Sequence, residues 1–399
     1  MKKALSGIRI VDLSQHLAGP FCTMLLADMG AEVIKVEPPW GDASRSSPQY
    51  PKLGGQSVYF MFPNRNKRSV VLNLRIEKGV AILKELAKRC DVLVENFRPG
   101  VMDRLGLGYE ALSVLNPRLV YASISGFGQS GPYTKRPSFD IISQAMSGWM
   151  YLNSRETKGL NSAPSLTPQC LAGSPGDAIP GTFCALGILA ALRHRDATGK
   201  GQRIDVAQTD ALMTTIGLAL TRYLFMGTPM EERARRKAKS VHGVYEAKDG
   251  YVALRAVDEG DIAALADAVS VEQNELAPDH PSLLEWMRAR TRVEIAEALA
   301  EKMPLAPVIT DEELVTDPNV VARGMIVEKP HPLGFTYRAV STGIGFSETP
   351  VSVDSMPPEL GEHTVEVLKE LGISEDEINK LEAEKVIAKK ASSSHGGAS

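Results

Sequence analysis

The sequence predicts an α/β fold with a doubly wound large domain and a smaller α+β domain. Three observations support this prediction. Short apolar runs alternate with helical patterns over residues 8–125, a strong hairpin signal stands at Asp249-Gly250, and helical patterns return near the C-terminus. The chain has 399 residues, of which 43% are apolar, so it is long enough and apolar enough for two cores.

The N-terminal part alternates strands with helices. The predicted elements, in chain order, are a strand at 8–14, a helix at 19–30, strands at 31–37 and 69–74, a helix at 77–90, a strand at 91–96, a helix at 109–115 and a strand at 118–125. A strand, a helix and a second strand of these lengths form a βαβ unit with parallel strands and a right-handed crossover. Repetition of this unit predicts a Rossmann-like, doubly wound sheet.

Three further elements follow. Small residues predict a helix over 178–196, and the segment RIDVAQ predicts a strand over 203–208. Residues 209–226 predict a long helix with almost no charge. Because that helix is apolar on most of its circumference, we expect it to be buried in the core or in a subunit interface.

The amino-acid composition becomes polar and rich in charge after residue 227. A polar, charge-rich linker leads to two strands around Asp249-Gly250, and helical patterns follow near 259–269, 281–290 and 293–303. We therefore predict four segments: the first part of a large domain at 1–226, a small α+β domain at 227–320, a return to the large domain at 321–390 with helices at 362–372 and 374–390, and a disordered tail at 391–399.

Composition argues against several classes of protein. The net charge of −3 gives no reason to expect nucleic acid or a membrane surface as a partner. The chain shows neither a long uncharged apolar run nor the apolar segment of a signal peptide, so no membrane span and no export are expected. The four cysteines form no C-x-x-C pair and the seven histidines have no metal-ligand spacing. We expect reduced thiols, no metal and a cytoplasmic protein.

Two glycine-containing turns bear on cofactor and nucleophile chemistry. The turn after the first strand, SQHLAGPFC, lacks the G-x-G-x-x-G pattern of a dinucleotide site. The segment SISGFGQSG at 123–131 lacks the G-x-S-x-G elbow of a serine hydrolase. It is a flexible turn that either cradles a ligand or simply ends a strand.

Basic side chains flank two of the predicted strands. They are Arg65, Lys67, Arg68, Arg75, Arg98 and Arg104. Such groups suit phosphate recognition, although a solvated rim of charges has the same appearance. Asn96 and Phe97 follow a predicted strand, where open α/β sheets bind ligands, but Phe97 also fits a place in the core.

Asp177 is a lone carboxylate at the start of a small, apolar stretch. No other charged residue occurs between Ser174 and Arg193. The simplest interpretation is a helix N-cap that follows a turn. A second interpretation is a nucleophile, because a helix N-terminus favours the ionised form and the neighbouring glycine leaves space for a bulky partner.

Several long stretches of the chain resemble the family III coenzyme A transferases, which include the formyl-CoA:oxalate and carnitine CoA-transferases. The matching stretches, in order, are LSGIRIVDLSQHLAGPFCTMLLADMGAEVIKVE, NRNKRSVVLNL, DVLVENFRPGVMDRLGLGYEALSVLNPRLVYASISGFG, Gly176-Asp177, GILAALRHRDATGKGQRIDVAQTDA and LGEHTVEVLKELGIS. They cover most of residues 5–215 and the C-terminal part.

The resemblance implies a covalent mechanism on Asp177. This carboxylate would attack the thioester of an acyl-CoA to give an aspartyl anhydride and then an aspartyl-CoA thioester, and an acceptor carboxylate would reverse these steps. Coenzyme A would be a substrate, no prosthetic group would be needed, and a dicarboxylic donor such as succinyl-CoA is suggested by analogy. The family also implies an interlocked homodimer, with the site between the large domain of one subunit and the small domain of the other.

The resemblance also implies the contacts of coenzyme A. These residues are Ala18, Leu72, Asn73, Arg75, Asn96, Phe97, Arg98, Arg104 and Arg136. Candidates for contacts with the acyl group are Gln15, His16 and Phe139.

Two departures from the formyl-CoA:oxalate enzymes concern specificity. Leu17 stands where those enzymes carry a glutamine, for which Gln15 or His16 could substitute. The segment 235–247 lacks the glycine run of their lid. The basic residues Arg233, Arg235, Arg236, Lys237 and Lys239 could meet a dicarboxylate, or form a solvated charge run.

Two alternatives to a transferase stay open at this point. The α-methylacyl-CoA racemases share the fold and place a catalytic histidine where this chain has Phe139. Without that base, racemisation would lose half of its acid–base pair. The other alternative is a CoA-binding protein without turnover.

Overall fold

The computed structural model describes residues 2–153, 155–157, 165–227 and 240–390. The described residues up to Thr221 and from Met325 onward form one compact unit, and those within Arg222–Gly324 form a second. The tail at 391–399 and the five basic residues from Arg233 to Lys239 lie outside the described residues.

The described residues form strands and helices along both units. The strands are β1 Arg9–Asp12, β2 Glu32–Glu37, β3 Gln49–Tyr50, β4 Gln56–Ser57, β5 Lys67–Leu72, β6 Val92–Glu95, β7 Val120–Ser125, β8 Arg155–Thr157, β9 Ser165–Thr167, β10 Arg203–Ala207, β11 Val241–Ala247, β12 Gly250–Ala256, β13 Leu305–Pro307, β14 Ile326–Pro330, β15 Thr336–Val340 and β16 Ile387–Ala388. The helices are α1 Ala18–Asp28, α2 Val58–Met61, α3 Glu77–Arg89, α4 Val101–Arg104, α5 Tyr109–Leu115, α6 Asp140–Met146, α7 Trp149–Leu152, α8 Pro175–Thr198, α9 Gln208–Thr215, α10 Gly217–Met226, α11 Glu259–Val269, α12 Pro281–Arg288, α13 Arg292–Leu299, α14 Asp311–Thr316, α15 Pro318–Ala322, α16 Thr364–Glu370 and α17 Glu375–Ala383.

A mixed sheet is the centre of the larger unit. Within the described residues its strand order is β10-β7-β6-β1-β2-β5-β16. Neighbouring strands are parallel except β16, which runs antiparallel to β5. The predicted α/β character is confirmed. The order reverses at β1, and in open α/β sheets ligands bind at the carboxyl ends of the strands beside such a reversal.

Two hydrophobic clusters cover the faces of this sheet. Ile10 packs with α1 and α8, whereas Val11 packs with α3, α5, α16 and α17. Val92 and Val94 join the first cluster, and Leu93 between them joins the second. Successive side chains of a strand point to opposite faces, so the alternation follows from strand geometry once both faces are covered by helices.

Helix α8 is a core helix of the larger unit. By length and composition alone it could cross a membrane. It packs against α1, α6 and α9, however, and Cys184, Ile188 and Ala191 are at most 1% exposed. Gly181 permits the close contact with α1, because a Cβ atom there would lie 2.5 Å from the carbonyl oxygen of Ala18.

The prediction of a single helix over 209–226 is wrong. The chain breaks at Ile216, where φ is −93° and ψ is 12°, and so forms α9 and α10. Helix α10 has no buried residue, and Leu218 and Phe225 are 89% and 83% exposed. These two side chains are therefore largely exposed, and burial in a subunit interface stays a prediction.

The C-terminal helix predicted at 374–390 is too long. Helix α17 ends at Ala383, and Lys385 takes a left-handed φ of 58°. The turn brings β16 against β5, with Ile387 opposite Leu72. Pairing to the sheet edge buries Val386 and Ile387, which a continued helix would not do.

The smaller unit contains the predicted hairpin. Strands β11 and β12 are antiparallel, with Ala247 opposite Gly250, and β13 pairs with β12. Helices α11, α12 and α13 pack on this sheet through one hydrophobic cluster. This unit is α+β, because its helices follow the hairpin in sequence rather than alternate with its strands.

Candidate active site

A cavity of about 270 Å³ lies at the carboxyl end of the sheet in the larger unit. It is formed by the segments after β1, β6 and β7 and by the first turn of α8. Nine residues that the sequence analysis selected line this cavity. They are Gln15, His16, Ala18, Asn96, Phe97, Arg98, Arg136, Phe139 and Asp177.

A second cavity, of about 330 Å³, adjoins the first. It holds the remaining residues that the sequence analysis assigned to coenzyme A, which are Leu72, Asn73, Arg75 and Arg104. Gln15 and Phe97 line both cavities. The guanidinium of Arg75 lies 4.8 Å from the ring centroid of Trp40, another residue of the second cavity. Leu17 is 6% exposed and lines neither cavity.

The segment after β1 is fixed to the segment after β6 by Asn96. The backbone N–H of Gln15 donates to Asn96 Oδ1 at 2.8 Å, and Asn96 Nδ2 donates to the Gln15 carbonyl oxygen at 2.7 Å. His16 has a left-handed φ of 64°, and its N–H donates to Asp42 Oδ1 at 3.1 Å. These contacts hold a backbone conformation that is unfavourable for a residue other than glycine.

Buried ion pairs lie beneath this segment. Lys67 Nζ lies 3.0 Å from Asp12 Oδ2, and Lys35 Nζ lies 2.8 Å from Asp42 Oδ2. Burial lowers the pKa of Lys67 to about 8. Burial acts to raise the pKa of Asp12, but the two lysines, together with hydrogen bonds from Ser14 and Thr23, outweigh it and lower that pKa to about 2. Lys67 also donates to the carbonyl oxygen of Pro20, so the pairs support the first turn of α1.

Asp177 lies in the first turn of α8 and is not its cap. The helix begins at Pro175, and Ser174 is the N-cap with a left-handed φ of 53°. The N–H of Gly176 donates to Asp140 Oδ1 at 2.7 Å. A Cβ atom at Gly176 would lie 2.8 Å from the Asp140 carbonyl oxygen, so the close approach of α6 requires glycine here. The N-cap interpretation of Asp177 is therefore wrong.

The side chain of Asp177 titrates far above an ordinary aspartate. Burial is the largest cause and the negative charge of Asp140 the second, and together they raise the pKa of Asp177 to about 7. The expectation that the helix N-terminus keeps this group fully ionised is thus not met, because burial and the second carboxylate outweigh it. Near neutral pH the group exchanges between a carboxylic acid and a carboxylate.

Three residues that the sequence analysis missed contact or face Asp177. Gln208 Nε2 donates to Asp177 Oδ1 at 2.7 Å, and Ser143 Oγ donates to Gln208 Oε1 at 3.0 Å. Tyr59 lines the same cavity, and burial together with Asp177 raises its pKa to about 12. Gln208 directly follows β10, so the rule that selected Asn96 could have selected it as well. Tyr59 and Ser143 carry no such signal.

The arrangement suits acyl transfer. A carboxyl group that can ionise near neutral pH lies in a cavity with two arginines, Arg98 and Arg136. Carboxylates of this kind act as nucleophiles, and guanidinium groups bind phosphates. Among the residues that the structure describes, no three His, Cys, Asp or Glu side chains are grouped as metal ligands.

Comparisons with known proteins agree on one family. The model of CoA-transferase family III matches residues 5–364. The beta subunit of succinyl-CoA–L-malate CoA-transferase from Chloroflexus aurantiacus is 35% identical, over 96% of this chain and 98% of the relative. Succinyl-CoA:mesaconate CoA-transferase from Haloarcula marismortui is 35% identical, over 93% and 97%. A CAIB/BAIF family protein from Brucella suis, known from its crystal structure, is 31% identical in sequence to this chain. The two structures superpose with a TM-score of 0.77, and the match covers 93% of this chain and 100% of the Brucella chain.

Proposed function

This chain belongs to CoA-transferase family III and is a CoA-transferase, and on that premise we propose that it moves coenzyme A from a dicarboxylic acyl-CoA to a carboxylic acid acceptor through covalent intermediates on Asp177. One observation carries the proposal. The Asp177 carboxyl group, whose pKa is raised to about 7, lies in the same cavity as five of the nine residues selected for coenzyme A, which are Ala18, Asn96, Phe97, Arg98 and Arg136. We also propose that the enzyme acts in the cytoplasm.

The proposed reaction has four balanced steps. Asp177 attacks the thioester carbonyl, the C–S bond breaks, and an aspartyl–acyl anhydride and the CoA thiolate result. The thiolate attacks the aspartyl carbonyl, the anhydride C–O bond breaks, and the donor leaves as a carboxylate. The acceptor carboxylate then attacks the aspartyl-CoA thioester, and the released thiolate attacks the acyl carbonyl of the new anhydride. The product is the acceptor's CoA thioester, and Asp177 is regenerated as a carboxylate.

The two cavities suggest where coenzyme A lies. The second cavity, with Leu72, Arg75 and Arg104, suits the nucleotide, since a phosphate pairs with guanidinium groups. The first cavity, with Phe97 and Asp177, suits the pantetheine arm and the thioester. Gln15 and Phe97 line both cavities, so one extended ligand could pass from one to the other.

Dicarboxylates are the proposed substrate class. Both relatives described above are named for succinyl-CoA as one substrate, and for malate or mesaconate as the other. Arg98, Arg136 and His16 line the first cavity beside Asp177. One of these groups could bind the distal carboxylate of such a substrate while the other carboxyl reacts.

A homodimer is the proposed assembly, in the interlocked form that the family implies. Reactive anhydrides must be kept from water, and a second subunit over the cavity would exclude it. Helix α10 supports this proposal, because grouped exposed apolar residues such as those on this helix are typical of an interaction surface.

Incubation of the purified protein with succinyl-CoA and a panel of acceptors tests the function. The panel comprises L-malate, mesaconate, glutarate and oxalate, with acetate as a monocarboxylate control. We expect succinate and a new dicarboxylic acyl-CoA in equal amounts by chromatography, and a loss of at least about 10³-fold in kcat for Asp177→Ala. Asp196→Ala is the matched control, since Asp196 is an exposed carboxylate near the other end of α8. Unchanged turnover in Asp177→Ala would contradict the proposal.

A further inference from the structure

The carboxyl group of Asp177 is held on one side by a side chain to which the reaction steps assign no role. Gln208 Nε2 donates to Oδ1 at 2.7 Å. Among the described residues, Gln208 is the only one shown to donate a hydrogen bond to this carboxyl group, and it donates to Oδ1 rather than to Oδ2. The two oxygens of the nucleophile are therefore not equivalent.

The Gln208 amide is hydrogen-bonded at both ends. Ser143 Oγ donates to Gln208 Oε1 at 3.0 Å. An ionised carboxylate can only accept hydrogen bonds, so the NH₂ group faces Asp177 when that group is ionised. Gln208 is 7% exposed and Ser143 is fully buried. Water therefore has little access to the two side chains and cannot readily replace the hydrogen bonds between Ser143, Gln208 and Asp177.

The two residues come from elements that pack directly against the start of α8. Ser143 lies on α6, Gln208 is the first residue of α9, and both helices contact α8. The position of the amide is therefore fixed by helix packing rather than by a loop. Ser143 Oγ also lies 2.9 Å from Ser138 Oγ, which lies at the cavity wall.

We propose that Gln208, oriented by Ser143, is a positioning residue of the transfer reaction: it binds Oδ1 of the Asp177 carboxylate and leaves Oδ2 as the oxygen that attacks the thioester. The inference rests on the proposed role of Asp177 as the nucleophile. A held carboxylate presents one oxygen in a fixed direction, which reduces the orientational freedom that must be lost before attack.

The charged and titratable groups around Asp177 set the expected pH behaviour. Asp140 on α6 opposes ionisation, and the hydrogen bond from Gln208 favours it. The other titratable or charged side chains that share the cavity are His16, Tyr59, Arg98 and Arg136. Loss of the Gln208 bond leaves the opposing effects of burial and Asp140, so the pKa of Asp177 must rise.

The test compares Gln208→Met, which keeps the length of the side chain but cannot donate, with the wild-type enzyme. Succinyl-CoA and L-malate are the probe substrates, and kcat and KM are measured from pH 5.5 to 9. We expect the midpoint of the pH–rate profile to move up by about one unit, with about a fivefold loss of kcat/KM at pH 7 and little change in KM for succinyl-CoA. Ser143→Ala should move the midpoint in the same direction by less.

Ser147→Ala is the matched control, because Ser147 is a buried serine one turn further along the same face, and its hydroxyl donates to the Gln144 carbonyl oxygen. Its profile should coincide with that of the wild type. A lower kcat in Gln208→Met with an unmoved midpoint would show a packing role only and would overturn the inference.

A second measurement does not depend on turnover. The Asp177 carboxyl carbon can be titrated by ¹³C NMR and assigned by its loss in Asp177→Asn. Its midpoint should rise in Gln208→Met, and an unchanged midpoint would overturn the inference. If Asp177→Ala retains turnover, the proposed function fails; if it is inactive and Gln208→Met titrates as the wild type does, only the role of Gln208 fails.

Discussion

Asp177 lies in the first turn of α8, where the helix N-terminus favours a carboxylate, but burial and a second carboxylate oppose its ionisation. Burial and the charge of Asp140 raise its pKa from 3.8 to about 7, while the bond from Gln208 opposes them. A free carboxylate on the surface would be ionised at all physiological pH values but well solvated and a poor nucleophile. The desolvated group is a stronger base and reacts once it ionises. The proposed activity should therefore increase as the pH rises through about 7.

The same shift predicts the pH dependence of stability. The pKa is raised in the folded state, so this group stabilises the fold fully below its unfolded pKa near 3.8, and that contribution is lost as the pH rises through about 7. Asp177→Asn removes the ionisation. We expect its stability gain over the wild type to grow from pH 4.5 to pH 8 and to reach the order of 2 kcal/mol, after allowance for solvent screening.

Urea denaturation at both pH values measures this gain, with Asp196→Asn as the exposed control on the same helix. A gain that is the same at both pH values would contradict the assigned ionisation.

Sequence reasoning at this scale selected Asp177 and eight of the residues that share its cavity, but not the residues that contact its carboxyl group. Gln208 and Ser143 become important only because α6 and α9 pack on the start of α8. No motif marks such a contact, since the residues lie far apart in the chain. The raised pKa of Asp177 could not be predicted for the same reason, since burial, its largest cause, and the charge of Asp140 both arise only from the fold.

Helix α8 depends on small residues where it meets α1. A Cβ atom at Gly181 would lie 2.5 Å from a backbone carbonyl oxygen, whereas one at Gly187 would lie 3.3 Å from a side-chain methyl of Ile204. Backbone cannot move as readily as the end of a side chain. We expect Gly181→Ala to cost about 1–3 kcal/mol, and Gly187→Ala to change stability by less than about 1 kcal/mol.

Urea denaturation measures both variants, and coenzyme A binding gives a second readout. Gly181→Ala should weaken binding as well, because the carbonyl it displaces belongs to Ala18 at the cavity. Equal effects of the two substitutions would contradict this account of the helix contact.

The buried ion pairs under the segment after β1 predict a large loss of stability when one partner is removed. Lys67 is fully buried against Asp12, and its removal would leave a buried carboxylate with one lysine fewer. Lys67→Met should cost about 3–5 kcal/mol. Lys78→Met is the control, because Lys78 pairs with Glu384 at the surface and is 46% exposed, and it should cost less than about 1 kcal/mol. Thermal unfolding that ranks the two variants equally would contradict the prediction.

The strands and helices of the sheet were predictable because each has a clear period. Strands β1, β2, β5 and β6 and helices α1 and α3 lie within two residues of their predicted bounds. The errors occur where composition is uniform. Residues 209–226 carry only two charged side chains, Asp210 and Arg222, and nothing in the pattern marks the break at Ile216. The short strand β16 was predicted as helix because its pairing with β5 is a contact distant in sequence.

At the scale of the whole molecule, α10 predicts association with a second copy. Leu218, Leu224 and Phe225 are 89%, 72% and 83% exposed. Grouped apolar residues of this kind mark interaction surfaces, whereas single ones do not. We expect a dimer by size-exclusion chromatography with light scattering, and loss of the dimer and of activity in Leu224→Asp/Phe225→Asp.

Val114→Asp is the control for that substitution. Val114 is an apolar residue of α5 that is 79% exposed, and its replacement should leave both the mass and the turnover unchanged. A wild-type monomer with full activity would contradict the proposed assembly.

The central claim is that Asp177 carries coenzyme A during turnover, and mass spectrometry tests it most directly. The protein is mixed with succinyl-CoA, quenched in acid and digested. The account predicts that the peptide with Asp177 gains the mass of coenzyme A less one water, that L-malate or another acceptor dicarboxylate removes the adduct, and that Asp177→Ala forms none. Transfer of coenzyme A to an acceptor with no adduct, or with an adduct on another residue, would contradict the account.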